Sequence, residues 1–184
     1  MIERPALLLI GHGTRSEVGV AQYFQLAQAI RDLDPELTVG CGFIELVKPT
    51  LDEAIDELVV SGVQAVVGVP LVLLGAGHLK NDGPVALAGG RLRHPEVSFS
   101  YARELGLHPH VLDVVDDRIA HAVQGLALSD GLAASDGGAE TVVVLVGRGS
   151  SDPDANADLY KAARLLSDSR GLPPVEPAFV SLAP

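Results

Sequence analysis

The run Leu7-Leu8-Leu9-Ile10 constrains this chain more than any other, because four aliphatic residues without alternation leave no side for solvent. Such a run fits a strand covered on both faces, as in a parallel sheet flanked by helices. It stops abruptly at Gly11-His12-Gly13-Thr14-Arg15, with a histidine set between two glycines. Open parallel sheets bind ligands beyond the carboxyl ends of their strands, so His12 falls where chemistry is usually done.

Beyond this loop, helical and extended patterns alternate along the chain. Val20, Tyr23, Phe24, Ala27 and Ile30 recur at helical spacing until Pro35, and Leu37 to Leu46 reads as a second strand with Glu45 at its end. Thr50 with Glu53 makes a capping box, Leu51, Ala54, Ile55, Leu58 and Val59 form one helical face, and Gly62 lies just past its end. Ala65 to Leu74 is a third strand, in which Pro70 marks a bulge or a strand end, and it runs into Gly75-Ala76-Gly77-His78. Pro84 fits the first turn of the next helix, with Val85, Leu87, Ala88 and Leu92 on its face. Val97 to Tyr101 is a fourth strand, and residues 109–124 carry another amphipathic helix. The pattern predicts an α/β fold with a parallel four-stranded sheet flanked by helices, occupying residues 1–125.

Residues 126–140, rich in Ser, Asp, Gly and Ala, read as a linker. From residue 141 the chain begins again. Thr141 to Asp152 mirrors the opening strand and loop at an offset of 136, which puts Gly147 on Gly11 and Gly149 on Gly13. The same offset, without a gap, places Phe179 on Phe43 and Leu182 on Leu46. His12 then corresponds to Arg148 and Glu45 to Ser181, so this partial second βαβ repeat over 141–184 keeps the scaffold and loses the chemistry. The repeat stops at Pro184, and the expectation is a truncated or processed form of a longer two-lobed protein.

Composition removes several classes. A net charge of -11 argues against a nucleic-acid binder. One cysteine, Cys41, rules out an internal disulfide framework and a Cys-rich zinc module. Mean hydropathy is +0.30, yet no apolar run approaches the roughly 20 residues of a membrane span. The start carries no signal-peptide pattern, so the expected location is cytoplasmic, without a membrane partner.

His12, Glu45 and His78 each come after a strand of the same predicted sheet and so belong to one edge. Two imidazoles and a carboxylate suit divalent first-row metals. The same groups accept protons near neutral pH. The set is therefore read as binding a metal, moving protons, or both. His108-Pro109-His110 has ligand-like spacing but precedes a helix, where capping competes. His94 and His121 read as surface residues, and Cys41 as a small core residue with no evident basic neighbour. Neither glycine turn completes a nucleotide-binding pattern.

These motifs resemble a known family. The Gly-His-Gly-Thr-Arg loop, Phe43-Ile44-Glu45-Leu46 with Pro49-Thr50-Leu51 after it, Val69-Pro70-Leu71 to Gly77-His78, and Leu105-Gly106-Leu107-His108-Pro109 are similar to the CbiX/SirB sirohydrochlorin chelatases, the class II chelatases. The resemblance implies a chelatase-like (flavodoxin-like) fold and insertion of Co²⁺ or Fe²⁺ into sirohydrochlorin, toward cobalamin or sirohaem, with nickel open beside them. It implies no organic cofactor; the metal is a substrate. It carries metal contact and proton acceptance onto His12 and His78, with Glu45 as the acidic position. Arg15, Lys48 and Lys80 lie beside these residues and offer a positive rim for the tetrapyrrole carboxylates. The cleft of the family lies between two lobes, which a homodimer would complete here. Two competing readings stay open: a metal or tetrapyrrole carrier that inserts nothing, and a histidine phosphatase, weakened because Ile10-Gly11 stands where a phosphate-clamping arginine would be.

Overall fold

In β1 (Ala6–Gly11) the side chains alternate between two buried surfaces, which is why its sequence shows no polar face. The computed structural model describes residues 4–75, 77–129, 142–170 and 172–181, and at 77–80 and 123–129 the backbone course alone. Contacts divide the chain into two units, Met1–Leu105 and Gly106–Pro184. No helix among the described residues is long and apolar enough to cross a membrane.

The first unit contains β1, α1 (Glu17–Leu33), β2 (Val39–Phe43), α2 (Leu51–Val60), β3 (Ala65–Pro70), α3 (Gly77–Arg93) and β4 (Ser98–Tyr101). The strands form a parallel sheet in the order β2-β1-β3-β4, so β1 is central. Ala6, Leu8 and Ile10 pack with Leu51, Ala54, Ile55 and Leu58 of α2 and Leu87 of α3. Leu9 turns the other way, onto Ala27 of α1 with Val39 and Cys41. Each of these leucines and isoleucines contributes about 1.5–3 kcal/mol on full burial.

The capping box predicted for α2 is formed: Thr50 Oγ1 accepts from Glu53 N at 3.2 Å while a Glu53 carboxylate oxygen accepts from Thr50 N at 2.8 Å. Pro70 is a strand end, the last residue of β3. α3 departs from expectation. It begins at Gly77, so Pro84 lies inside it rather than in its first turn. The polar stretch before Pro84 has no apolar period to reveal a helical turn, and a proline there reads as a start. Its buried face is also different, since Val85 and Leu92 are exposed while Gly83, Leu87 and Gly90 face inward. A Cβ at Gly83 would stand 2.6 Å from the Tyr101 ring, so the close approach of α3 to β4 depends on that hydrogen.

The second unit contains α4 (Pro109–Ser129), β5 (Val143–Gly147), α5 (Pro153–Ser169) and β6 (Val175–Phe179). Residues 126–129 of the expected linker continue α4, and 130–140 lie outside the described residues. β5 and β6 pair in parallel, Val143 with Val175 through Gly147 with Phe179, which is the β1–β2 register displaced by 136. The bounds of α5 are those of α1 displaced by the same 136. Leu112, Ala163, Leu166 and Val175 form the core of this unit.

Candidate functional site

The β1–β2 ladder does not stop at the strand ends. Ile44 N donates to Gly11 O at 2.9 Å and Glu45 N to His12 O at 3.1 Å, so the two loops beyond the strands are stitched side by side. This brings His12 and Glu45 together at the carboxyl edge of the sheet. Nδ1 of His12 lies 3.5 Å from Oε1 of Glu45, and the two side chains are 46% and 54% exposed. A ligand therefore reaches both.

Three features hold this arrangement. Gly13 has φ 98°, and a Cβ there would sit 1.9 Å from the Glu45 carbonyl oxygen, so only glycine lets the loops touch. Leu46 has φ 66°, and Val47 N donates to Glu45 O at 2.8 Å, closing a γ-type turn that aims Glu45. Beneath the loops, the Tyr23 hydroxyl donates to Leu9 O at 2.7 Å and accepts from Gly42 N at 3.2 Å, tying β1 to β2. Burial first, and the nearby Cys41 second, push the Tyr23 phenol above its ordinary pKa, so it stays protonated as a donor. Beside Glu45 opens a cleft of about 450 Å³, lined by Phe43, Ile44, Thr50, Leu51, Asp52 and Asp82 among others.

His78 is the second residue of α3, after the loop that leaves β3, the other neighbour of β1. The side chains of His78 and Lys80 lie outside the described residues. Among the described residues no three His, Cys, Asp or Glu groups converge on one point. Arg15 is exposed in the His12 loop. The Lys48 ammonium is 2.6 Å from Glu53 Oε1. That hydrogen bond, with the one from Thr50 N, holds the Glu53 carboxyl down to about 2.

Other candidates are engaged elsewhere. His108 Nδ1 accepts from His110 N at 3.3 Å and His110 Nδ1 faces Asp113 Oδ2 at 3.2 Å, a local arrangement at the start of α4. His94 is not a plain surface residue: its Nε2 is 2.8 Å from Asp56 Oδ1, and Arg93 bridges Asp52 and Asp56, fastening α3 to α2. Cys41 is buried as expected, but the Arg31 guanidinium stands 3.7 Å from its sulfur, a neighbour ten residues away that spacing does not announce. Sequence reasoning misses the parts played by Tyr23 and Leu46. Tyr23 sits on the helical face its spacing indicates, but nothing in the sequence marks the hydroxyl's partners or a leucine with positive φ.

Both His12 and Glu45 lie within a stretch of the chain that a family model matches. The CbiX family model matches residues 6–122 and 142–184. The chain belongs to the CbiX family. Proteins similar to it include a sirohydrochlorin cobaltochelatase of Priestia megaterium, 34% identical over 96% of this chain and 55% of that protein. A sirohydrochlorin cobaltochelatase of Methanopyrus kandleri is 30% identical over 64% of this chain and 96% of that protein. Among solved structures, SirB from Bacillus subtilis with Fe³⁺ matches with a TM-score of 0.82 and 28% identity, over 98% of this chain and 67% of that one. The chain thus spans about half the length of the Priestia relative, whereas the Methanopyrus relative is matched over nearly its whole length by part of this chain.

Proposed function

We propose that the first unit carries a sirohydrochlorin chelatase site that inserts Co²⁺ or Fe²⁺ into the macrocycle, for cobalamin or sirohaem formation in the cytoplasm. The observation that carries this reading is the His12–Glu45 pair, half-exposed and stitched by backbone hydrogen bonds at the sheet edge where ligands bind. Relatives of the length of one lobe bear the cobaltochelatase name, as in Methanopyrus, which supports a site built from one unit. The domain reading is a chelatase lobe over 1–125 and a partial second repeat over 141–184, with the expected linker of 126–140 shortened by the four residues that continue α4. A second copy of the chain completes the cleft.

Insertion replaces two pyrrole N–H protons by one divalent ion, so the site needs bases as well as transient ligands. With the His12 Nδ1 proton turned to Glu45 and to Gly13 O, 3.4 Å away, Nε2 carries the lone pair. His12 presents that lone pair first to the metal and then to a departing proton. Glu45 stabilises the imidazolium so formed, and the proton passes on to solvent because both groups are exposed. His78 serves as the second base. A set with open positions holds the ion loosely enough for the macrocycle to take it. Arg15, Lys80 and, when released by Glu53, Lys48 meet the substrate carboxylates.

The test is an anaerobic absorbance time course of sirohydrochlorin with Co²⁺ or Fe²⁺, comparing wild type with His12→Ala and His78→Ala. Insertion above the uncatalysed rate, lost in both variants, is the expected result. A tetrapyrrole bound without acceleration would instead identify a carrier.

A further inference from the structure

Two large apolar side chains stand in solvent at the edge that carries His12. Leu46 is 58% exposed and Leu73 55%. Scattered exposed leucines are ordinary on a protein surface, and placement is what sets these two apart. Leu46 lies three residues beyond the end of β2 and Leu73 three beyond the end of β3, so they flank the His12 loop that leaves the central strand. Strands two apart in a sheet are separated by roughly 10 Å, a span comparable with the width of a tetrapyrrole ring.

Both positions are built outward. In the segment after β3, Leu71 N donates to Ile10 O at 2.9 Å, and Leu71 and Val72 pack into the cores on opposite sides of the sheet. Leu105 N donates to Val72 O at 3.1 Å and fixes that course, which leaves Leu73 to face out. Leu46 occupies a left-handed backbone position that a bulky L residue rarely adopts, in the turn that aims Glu45. Asparagine or glycine would be easier there. An exposed apolar side chain kept on strained backbone beside reacting groups is a mark of a ligand contact.

We infer that Leu46 and Leu73 form two apolar supports on which the flat face of the tetrapyrrole rests, holding its centre over His12. This rests on the chelatase reading. The supports leave the metal alone and act on macrocycle affinity and placement.

The experiment is a fluorescence titration of metal-free sirohydrochlorin with the full chain, for wild type, Leu46→Asn, Leu73→Gln and the methionine variant at each position. Asparagine tolerates the positive φ, so the turn survives its introduction. Each polar variant is expected to weaken macrocycle binding roughly tenfold, with methionine within about twofold of wild type, as loss of half-buried apolar contact requires. Co²⁺ binding measured without macrocycle stays unchanged in Leu73→Gln, and Leu46→Asn does not lower Tm. Wild-type binding with equal binding by the polar variants overturns this inference and leaves the chelatase reading standing. A loss equal in methionine and polar variants, or one that tracks Tm, also overturns it. Absence of macrocycle binding by the wild type removes the chelatase reading and this inference with it.

Discussion

Gly13 and Gly62 offer a controlled comparison, because both have strongly positive φ, 98° and 93°, and differ in what surrounds them. A Cβ at Gly62 meets nothing within 4 Å, so Gly62→Ala carries only the backbone cost of a left-handed residue, about 1–2 kcal/mol. Gly13→Ala carries that cost and a collision, its Cβ 1.9 Å from the Glu45 oxygen and 2.9 Å from the carbonyl carbon. These are backbone atoms and cannot swing aside. To restore even the 3.0 Å that real Cβ atoms keep, the Glu45 strand end must retreat by about 1.1 Å. The Glu45 N to His12 O bond at 3.1 Å and its neighbour at 2.9 Å do not survive that movement at full strength. Each such bond contributes about 0.5–1.5 kcal/mol, so Gly13→Ala should cost about 2–5 kcal/mol in all. Thermal denaturation of both variants reads the difference: about 4–8 °C of Tm per kcal/mol applies to a unit of this size, so Gly13→Ala falls at least twice as far as Gly62→Ala. On the proposed function, insertion by folded Gly13→Ala protein should drop on the order of 10²-fold, as an ångström of misplacement implies, with Gly62→Ala unaffected. Equal Tm losses and an undiminished insertion rate in Gly13→Ala would show that the two loops do not bear on each other as argued.

The same geometry yields two further expected outcomes. Leu8→Ala, at a residue with no exposure beneath α2, should cost about 2–5 kcal/mol in denaturant unfolding, whereas Val144→Ala, at its counterpart in the repeat but 58% exposed, should stay within about 0.5 kcal/mol; comparable losses would refute the burial assignment. Glu53 is held down to about 2 from an ordinary 4.5 by Lys48 and Thr50, so its contribution is present above 4.5 and disappears as pH falls toward 2. The Tm advantage of wild type over Glu53→Gln should therefore shrink across that interval and be constant from pH 5 to 7.

Legibility depends on the physics of each signal. The parallel sheet is readable because β1 is covered on both faces and its neighbours alternate with helices carrying apolar stripes, so period and run length hold the information. The α2 cap is readable because Thr50 and Glu53 are local partners three residues apart. The start and buried face of α3 are not, because its inward face uses Gly83 and Gly90, whose value lies in what they leave out, and hydrophobic periodicity cannot register a missing side chain. Topology places His12 and Glu45 on one edge although 33 residues separate them; their contact depends on a ladder that continues past the strand ends, which no local pattern contains. Leu46 is invisible for a similar reason, since its positive φ is imposed by the stitched loops and not by its own preference.

The repeat separates what the scaffold requires from what the chemistry requires. At an offset of 136, Val180 N donates to Gly147 O at 3.1 Å and Ser181 N to Arg148 O at 3.0 Å, reproducing the two stitches that join the His12 and Glu45 loops. Gly149 repeats the positive φ of Gly13, at 86° against 98°. Even the turn into the helix is copied, with Ser16 N donating to Thr14 Oγ1 at 3.1 Å and Asp152 N to Ser150 Oγ at 3.0 Å. The backbone is thus built twice while the side chains at these two positions change from His and Glu to Arg and Ser. The glycines and the hydrogen-bonded edge are therefore sufficient to form this loop pair, and neither His12 nor Glu45 is needed to fold it. A residue the scaffold does not need, held half-exposed with its ring nitrogen 3.5 Å from a carboxylate, can vary with what it contacts. Gly-x-Gly after an apolar strand accordingly marks the fold, and on the proposed function the residue between the glycines carries the chemistry.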